Sequence, residues 1–216
     1  GSEMCIRDRK KEQVLASIEE QGKLTEELKQ QIEKAQTLVV VDDLYRPYRP
    51  KRRTRAIIAK EKGLEPLANL ILLQQVTHPI EEEAKAYLNE EKEVHTVEGA
   101  IAGAKDIIAE HISDEAAYRM HIRKQTEKEG MMLSEAKDEN AESVYEMYYH
   151  FEEPIQKLAG HRILALNRGE KEKILTVKVQ APKDRILSYL EKKVIVAQNP
   201  YTTPILREAI EDSYQR

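Results

Sequence analysis

The feature that most constrains the fold is a start signal for helices that recurs along the chain. A threonine or serine precedes residues of helical spacing at five places, which are Thr25, Thr54, Thr96, Ser113 and Thr203. Such a side chain accepts a hydrogen bond from a backbone amide of the first helical turn. Gly63 and Gly130 end the segments that begin at Thr54 and Ser113, and Gly22 ends an earlier helix that starts near Lys10, as expected of residues that end helices. The pattern predicts a mainly α fold, a multi-helix array of helical hairpins.

The sequence changes its period near residue 162. Two runs, 163–168 and 174–179, show alternation of period two and flank the polar segment 169–173. Alternation around a turn that contains glycine is typical of a β-hairpin. Because an isolated hairpin is only marginally stable in water, we predict one small β-hairpin near residues 162–180 that packs on helices.

Three further segments lack a clear period. Leu38–Val41 has three consecutive β-branched residues, which favour a strand. The residues that follow do not continue an alternation, so a short helix after Thr37 stays open as the alternative. Residues 131–140 are polar and are predicted to form a loop. Residues 141–159 are predicted to be helical, with an interruption at Pro154.

The composition excludes several classes of protein. Of the 216 residues 40% are hydrophobic, with no tryptophan and one phenylalanine, so the core must be built from aliphatic side chains. No apolar run exceeds four residues, whereas a membrane-spanning helix needs about 20. The single cysteine, Cys5, cannot form an internal disulfide or a zinc site alone. We therefore expect a soluble, cytoplasmic protein without a membrane partner.

Residues 45–55, which we call the basic segment, concentrate positive charge. They hold six basic groups and no acid, and without them the net charge of −4 becomes −10. One interpretation is a phosphate-facing patch, since guanidinium groups fit phosphate oxygens and Tyr45 and Tyr48 could stack on bases. The other is a connector stiffened by two prolines, whose arginines pair with acids such as Asp42, Asp43 or Glu65. A solvated charge run is a third interpretation, and spacing alone leaves the choice open.

No motif specifies catalysis. The chain has no glycine-rich nucleotide loop, and the four-residue spacing of Gly99 and Gly103 is better explained by the close packing of two helices. Its six histidines never fall at the four-residue spacing of a helical metal pair. We therefore expect no catalytic residue, no metal site and no cofactor.

Several segments together resemble the bacterial Tex family of transcription accessory proteins. The segments that carry the resemblance are 20–25, 43–56, 63–68, 153–154 with 161–170, and 206–212. They occur in the family's order, and together they are specific although each alone is weak. The resemblance implies that Val39–Tyr45 is helical. It also implies a nucleic-acid-binding protein in which this chain is a helical scaffold, with the transcription machinery as a further partner.

A Tex protein is several times longer than this chain, and the resemblance implies a division into modules. Residues 1–9 are set aside as a cloning remnant or a disordered stretch. Residues 10–160 would be the helical region of Tex N-terminal type. Residues 161–216 would carry the β-hairpin and C-terminal helices that lead to an RNase-H-like domain absent here. The alternative function is the N-terminal part of a nucleic-acid-processing enzyme whose active site lies in that domain.

The candidate site residues all lie in the basic segment. Lys51, Arg52, Arg53 and Arg55 are predicted to bind nucleic acid. Arg46 and Arg49, next to the prolines, are predicted to hold the segment in place. The main nucleic-acid contacts of the whole protein are expected in modules outside this chain.

Overall fold

The computed structural model describes residues 2–50 and 53–216, and the fold of this part is mainly α, as predicted. The helices are α1 (Ser2–Glu20), α2 (Glu26–Lys34), α3 (Leu38–Tyr45), α4 (Arg55–Glu61), α5 (Glu65–Leu73), α6 (Ile80–Ala84), α7 (Val97–Asp114), α8 (Ala116–Glu129), α9 (Gly160–Lys171), α10 (Lys183–Val194) and α11 (Thr203–Tyr214). The strands are β1 (Met131–Ala136), β2 (His150–Pro154) and β3 (Leu175–Gln180). The residues from Ser2 to Arg9, which fit no pattern in the sequence, lie within α1.

The chain divides into two compact units, one formed by Gly1–Met120 with Leu187–Arg216 and the other by His121–Ile186. The division does not follow the predicted boundary after residue 160, which stays a prediction about the modules of a longer protein. In the first unit α7 packs against α4, α5, α6 and α11. A separate cluster of buried aliphatic side chains joins α1, α2 and α3 in the same unit.

Three of the five predicted caps are confirmed. The hydroxyls of Thr25, Thr54 and Thr96 accept hydrogen bonds from backbone amides three residues later, at 3.1, 3.2 and 2.9 Å. Thr37 caps α3 in the same way, at 3.3 Å from the amide of Val40. The helix implied by the Tex resemblance is therefore present, and burial of Val41 and Leu44 against α1 and α2 overrides the β-propensity of the valines.

The other two predicted caps are wrong in position. Ser113 lies in the last turn of α7, and the helix breaks at Glu115 before α8 begins. Thr203 is the first residue of α11 rather than its cap, and its hydroxyl accepts a hydrogen bond from the amide of Asn199 at 2.9 Å. In both cases the helix boundary lies within three residues of the predicted one.

The predicted β-hairpin near residues 162–180 is wrong in its first half. Residues Gly160–Lys171 form α9, and Leu175–Gln180 form β3, which pairs antiparallel with β1. The buried residues of α9, Leu166 and Gly169, are three apart, a helical spacing that a short alternating run conceals. A side chain at Gly169 would overlap Leu175, so the glycine serves helix packing rather than a turn.

The second unit contains a three-stranded sheet, in the order β2-β1-β3. The predicted loop at residues 131–140 is therefore wrong, because β1 is the central strand. The predicted helix at residues 141–159 is also wrong, because this stretch holds β2 between two short 3-10 turns. The face of the sheet that contains the buried Ser134 packs on Leu166 and three tyrosines.

Among the described residues, no helix is both long enough and apolar enough to pass through a membrane.

Candidate nucleic-acid interface

The basic segment begins as a continuation of α3. Residues Arg46–Tyr48 form a 3-10 turn directly after the helix, with Pro47 in its first turn. A residue that precedes a proline is expected to be extended, which predicts extended conformations for Arg46 before Pro47 and Arg49 before Pro50. The prediction is confirmed for Arg49 (φ −65°, ψ 134°) but is wrong for Arg46 (φ −50°, ψ −43°). A proline is tolerated at the start of a helical turn, where no backbone amide is needed, so helical geometry persists through Arg46. Lys51 and Arg52 lie outside the described residues.

Arg46 fastens this turn to the end of α7. Its Nε donates to Oδ1 of Asp114 at 3.0 Å, and its Nη2 lies 3.5 Å from the hydroxyl of Ser113. The side chain of Asp114 is only 12% exposed, so the ion pair is shielded from water more than a surface pair is. Arg46 therefore connects two elements that are far apart in the sequence.

Arg49 makes a looser contact. Its Nη2 lies 3.9 Å from Oδ1 of Asp42, with both side chains half exposed, and its guanidinium lies 5.7 Å from the centre of the Tyr45 ring. The hydroxyl of Tyr45 is 2.9 Å from that of Ser17 on α1. Tyr45 and Tyr48 both pack against the core of α1, α2 and α3, and this limits their freedom to stack on bases.

Arg53 and Arg55 also face carboxylates, although both remain well exposed. Arg53 binds Glu61 with two nitrogens, at 2.7 and 3.1 Å. Arg55 lies 3.8 Å from Asp106 on α7 and 3.4 Å from Asp212 on α11. Their side chains are 65% and 64% exposed, so outward N–H groups of each guanidinium can still reach a ligand.

Asp106 lies in a cluster of charges between α4, α7 and α11. Burial raises the pKa of its carboxyl above the ordinary value, and this effect outweighs the opposing influence of Arg55 and Arg216. Arg216 lies 3.8 Å from Asp106 and 3.3 Å from Asp212. The carboxylates thus position the arginines on the helices. Asp106 loses part of its hydration in this position, and this loss disfavours its charged form.

A groove of about 480 Å³ runs beside the segment. Its lining includes Arg46, Arg49 and Arg216 together with Asp114 and Glu110. The acids offset most of the positive charge, so the groove offers N–H donors on a nearly neutral surface. No cluster of three or more histidines, cysteines, aspartates and glutamates able to hold a metal ion occurs in residues 2–50 or 53–216.

The structure thus brings the four described arginines of the segment to carboxylates of their own chain. The sequence located the segment but missed its distant partners Asp106, Asp114 and Asp212, because they follow it by up to 157 positions. The assignment of Lys51, Arg52, Arg53 and Arg55 to nucleic-acid binding stays a prediction.

Comparison with known proteins identifies the family of the chain. The family model described as Tex central region-like matches residues 75–205, which includes α6 to α10 and the whole sheet. The chain belongs to the Tex central region-like family. The resemblance noted in the sequence is therefore confirmed, and the matched region begins after the basic segment.

Individual relatives extend the similarity to most of the chain. The uncharacterized protein YdcI of Bacillus subtilis is 51% identical over 97% of this chain, and the transcriptional accessory protein Tex of Neisseria gonorrhoeae is 36% identical over 88% of it. The S1 RNA-binding domain-containing protein 1 of Pongo abelii is 27% identical over 94% of it. The chain spans 30%, 25% and 22% of the lengths of these three relatives.

Proposed function

We propose that this chain is a helical scaffold in a non-enzymatic, nucleic-acid-binding transcription accessory protein of the cytoplasm. The family match supports this role, and so do the names of two relatives, one a transcriptional accessory protein and one an S1 RNA-binding domain-containing protein. The observation that carries the proposal is the way the basic segment is held. Its described arginines are fixed by carboxylates on α3, α4, α7 and α11.

The ion pairs favour a division of roles within the segment. Arg46, bound to the shielded Asp114, holds the segment on the helices, and Arg49, beside Asp42, adds a weaker contact. Arg53 and Arg55 keep exposed N–H groups, and together with Lys51 and Arg52 they would meet phosphates. This arrangement presents guanidinium N–H groups, which bind the phosphates of a nucleic acid without reacting with them. The transcription machinery is the further partner that we propose.

The test uses a full-length protein of this family that carries this chain. Labelled single-stranded RNA and duplex DNA are incubated with the protein and Mg²⁺, and binding is followed by gel shift. We expect a shifted, intact oligonucleotide. Cleavage of the oligonucleotide by the purified protein would overturn the non-enzymatic role and favour a nucleic-acid-processing enzyme. Absence of any shift would overturn the nucleic-acid-binding role.

A pair of matched variants locates the contribution of the basic segment. The triple variant Lys51→Gln, Arg52→Gln and Arg53→Gln should weaken binding of the full-length protein. The control variant Lys23→Gln, Lys29→Gln and Lys34→Gln removes the same charge from exposed positions near and on α2 and should not. Equal weakening by both variants would show that only the total charge matters.

A further inference from the structure

A second groove, in the unit formed by His121–Ile186, lies apart from the basic segment in the sequence. It has a volume of about 750 Å³, within the usual range for ligand sites, but it is open along the surface rather than enclosed. We call it the α8 groove, and its lining includes His121, Lys124, Gln125, Lys128, Gln156 and Arg185. Four of these residues lie three or four positions apart and form one stripe along α8.

Two lysines of the stripe carry charge that the protein does not neutralise. Lys124 and Lys128 are exposed, and neither lies within 4 Å of a carboxylate in the described part of the chain. They are one helical turn apart, and like charges at that spacing destabilise a helix. A bound row of negative groups would relieve this repulsion. Glu127 also lines the groove but forms no ion pair with either lysine.

The other acid of the groove is already engaged. Oε1 of Glu129 lies 3.1 Å from Nη1 of Arg185, and its Oε2 accepts from Nε2 of Gln125 at 3.4 Å. The negative charge of Glu129 is thereby offset by Arg185. Once the pair of Glu129 and Arg185 is set aside, the two lysines outweigh the single negative charge of Glu127, and the lining keeps a small net positive charge.

Gln125 adds a requirement that a simple anion cannot meet. Its Oε1 is shielded from solvent and has no hydrogen-bond partner, which is a costly state for an acceptor. The last side-chain torsion of glutamine is soft, so Oε1 can turn into the groove at the loss of the one long bond to Glu129. A partner for it must donate a hydrogen bond. Phosphate diesters only accept, whereas the sugar hydroxyls and base amino groups of a nucleic acid donate.

We propose that the α8 groove binds the backbone of single-stranded nucleic acid, with Lys124 and Lys128 on successive phosphates and Gln125 accepting from a sugar or base. This inference rests on the nucleic-acid-binding role proposed above and assigns part of that role to this chain itself. No phenylalanine, tyrosine or tryptophan lines the groove among the residues found there, so stacking is limited to the ring of His121 and contributes little. Binding should therefore depend weakly on sequence.

The experiment measures the affinity of the purified 216-residue chain for fluorescent single-stranded RNA between 50 and 300 mM salt. Each phosphate contact of a single strand adds about 0.7 to the log–log salt slope. The variant Lys124→Gln with Lys128→Gln should weaken binding equally for several sequences and lower the slope by about 1.4. The control variant Lys137→Gln with Lys178→Gln removes the same charge from exposed positions of the same unit and should leave the slope unchanged.

A neutral substitution tests the acceptor separately. Gln125→Met should weaken binding by about twofold to tenfold, the worth of one hydrogen bond, without changing the salt slope. A slope that stays constant in the double lysine variant would overturn the groove as a phosphate site, and an unchanged affinity for Gln125→Met would overturn the role of Gln125. Circular dichroism establishes that each variant is folded.

The outcomes also separate this inference from the proposed function. If this chain binds no RNA at 50 mM salt while the full-length protein does, the α8 groove is overturned and the proposed function stands. If the full-length protein binds no nucleic acid, both are overturned. Binding of the chain to acidic peptides but not to RNA would assign the groove to a protein partner and would likewise contradict the proposal.

Discussion

Two arginines of the basic segment, three positions apart, differ in how firmly they are held. Arg46 contacts Asp114, whose side chain is 12% exposed, at 3.0 Å. Arg49 contacts Asp42 at 3.9 Å, and both side chains are half in water. Removing the partner of a buried carboxylate destabilises the protein more than removing the partner of a carboxylate that water can hydrate. The sequence, which treats the two arginines alike, contains no sign of this difference.

We therefore expect Arg46→Ala to lower the free energy of unfolding by about 1–2 kcal/mol, and Arg49→Ala to change it by less than about 0.5 kcal/mol. The two variants are matched in residue type and in the segment they alter. Urea denaturation followed by circular dichroism measures the difference. Equal losses for the two variants would show that burial of Asp114 does not set the strength of the contact.

At the scale of elements, features fixed by a few neighbouring residues could be predicted from the sequence. The caps at Thr25, Thr54 and Thr96 depend on an amide three residues away, and the left-handed residues Gly22 and Gly63 (φ 70° and 79°) end α1 and α4 as expected. The basic segment was visible because its charges are consecutive. These features need no knowledge of the rest of the fold.

The sheet could not be predicted in this way, because its partners are distant in the sequence. The residues paired in β1 and β3, such as Ser134 and Val177, are more than 40 positions apart, so no turn signal connects them. Ser134 is buried although it is polar, and this breaks the apolar alternation of the central strand. The stripe of α8 was readable from its spacing, but the groove beside it also needs Gln156 and Arg185 from other elements.

The packing of α7 on α4 gives a prediction at the same scale. A Cβ at Gly103 would overlap the side chain of Leu64 and lie 3.3 Å from the Cβ of Ala59, and both neighbours are buried. The expected cost of overpacking is about 1–3 kcal/mol, against a gain of about 1 kcal/mol in helix propensity.

Gly103→Ala should therefore leave the protein equally stable or reduce its stability by up to about 2 kcal/mol, and Gly103→Val should destabilise it further. Gly160→Ala is the control, since a Cβ there meets nothing within 4 Å. Thermal unfolding curves of the three variants give the order of their stabilities. A stabilised Gly103→Val variant would contradict the close approach of α7 and α4.

At the scale of the whole molecule, charge determines how strongly the chain can hold a polyanion. The net charge is −4, and the residues outside the basic segment carry −10, which repels nucleic acid at long range. Arg46, Arg49, Arg53 and Arg55 lie within 4 Å of carboxylates. Because their charge is already partly neutralised, these arginines release few counterions when a polyanion binds.

The chain should accordingly bind single-stranded RNA weakly at about 150 mM salt, with a modest salt dependence. If all six cations of the segment and the two lysines of the α8 groove bound phosphates, the log–log slope would be about 5.6. If the four paired arginines contribute little and Lys51, Arg52, Lys124 and Lys128 each bind one phosphate, the slope should be about 2.8. Fluorescence anisotropy over a salt series measures this value. A slope above about 5, or nanomolar binding at about 150 mM salt, would show that the arginines leave their carboxylates for phosphates, because only their full charge could supply the additional counterion release.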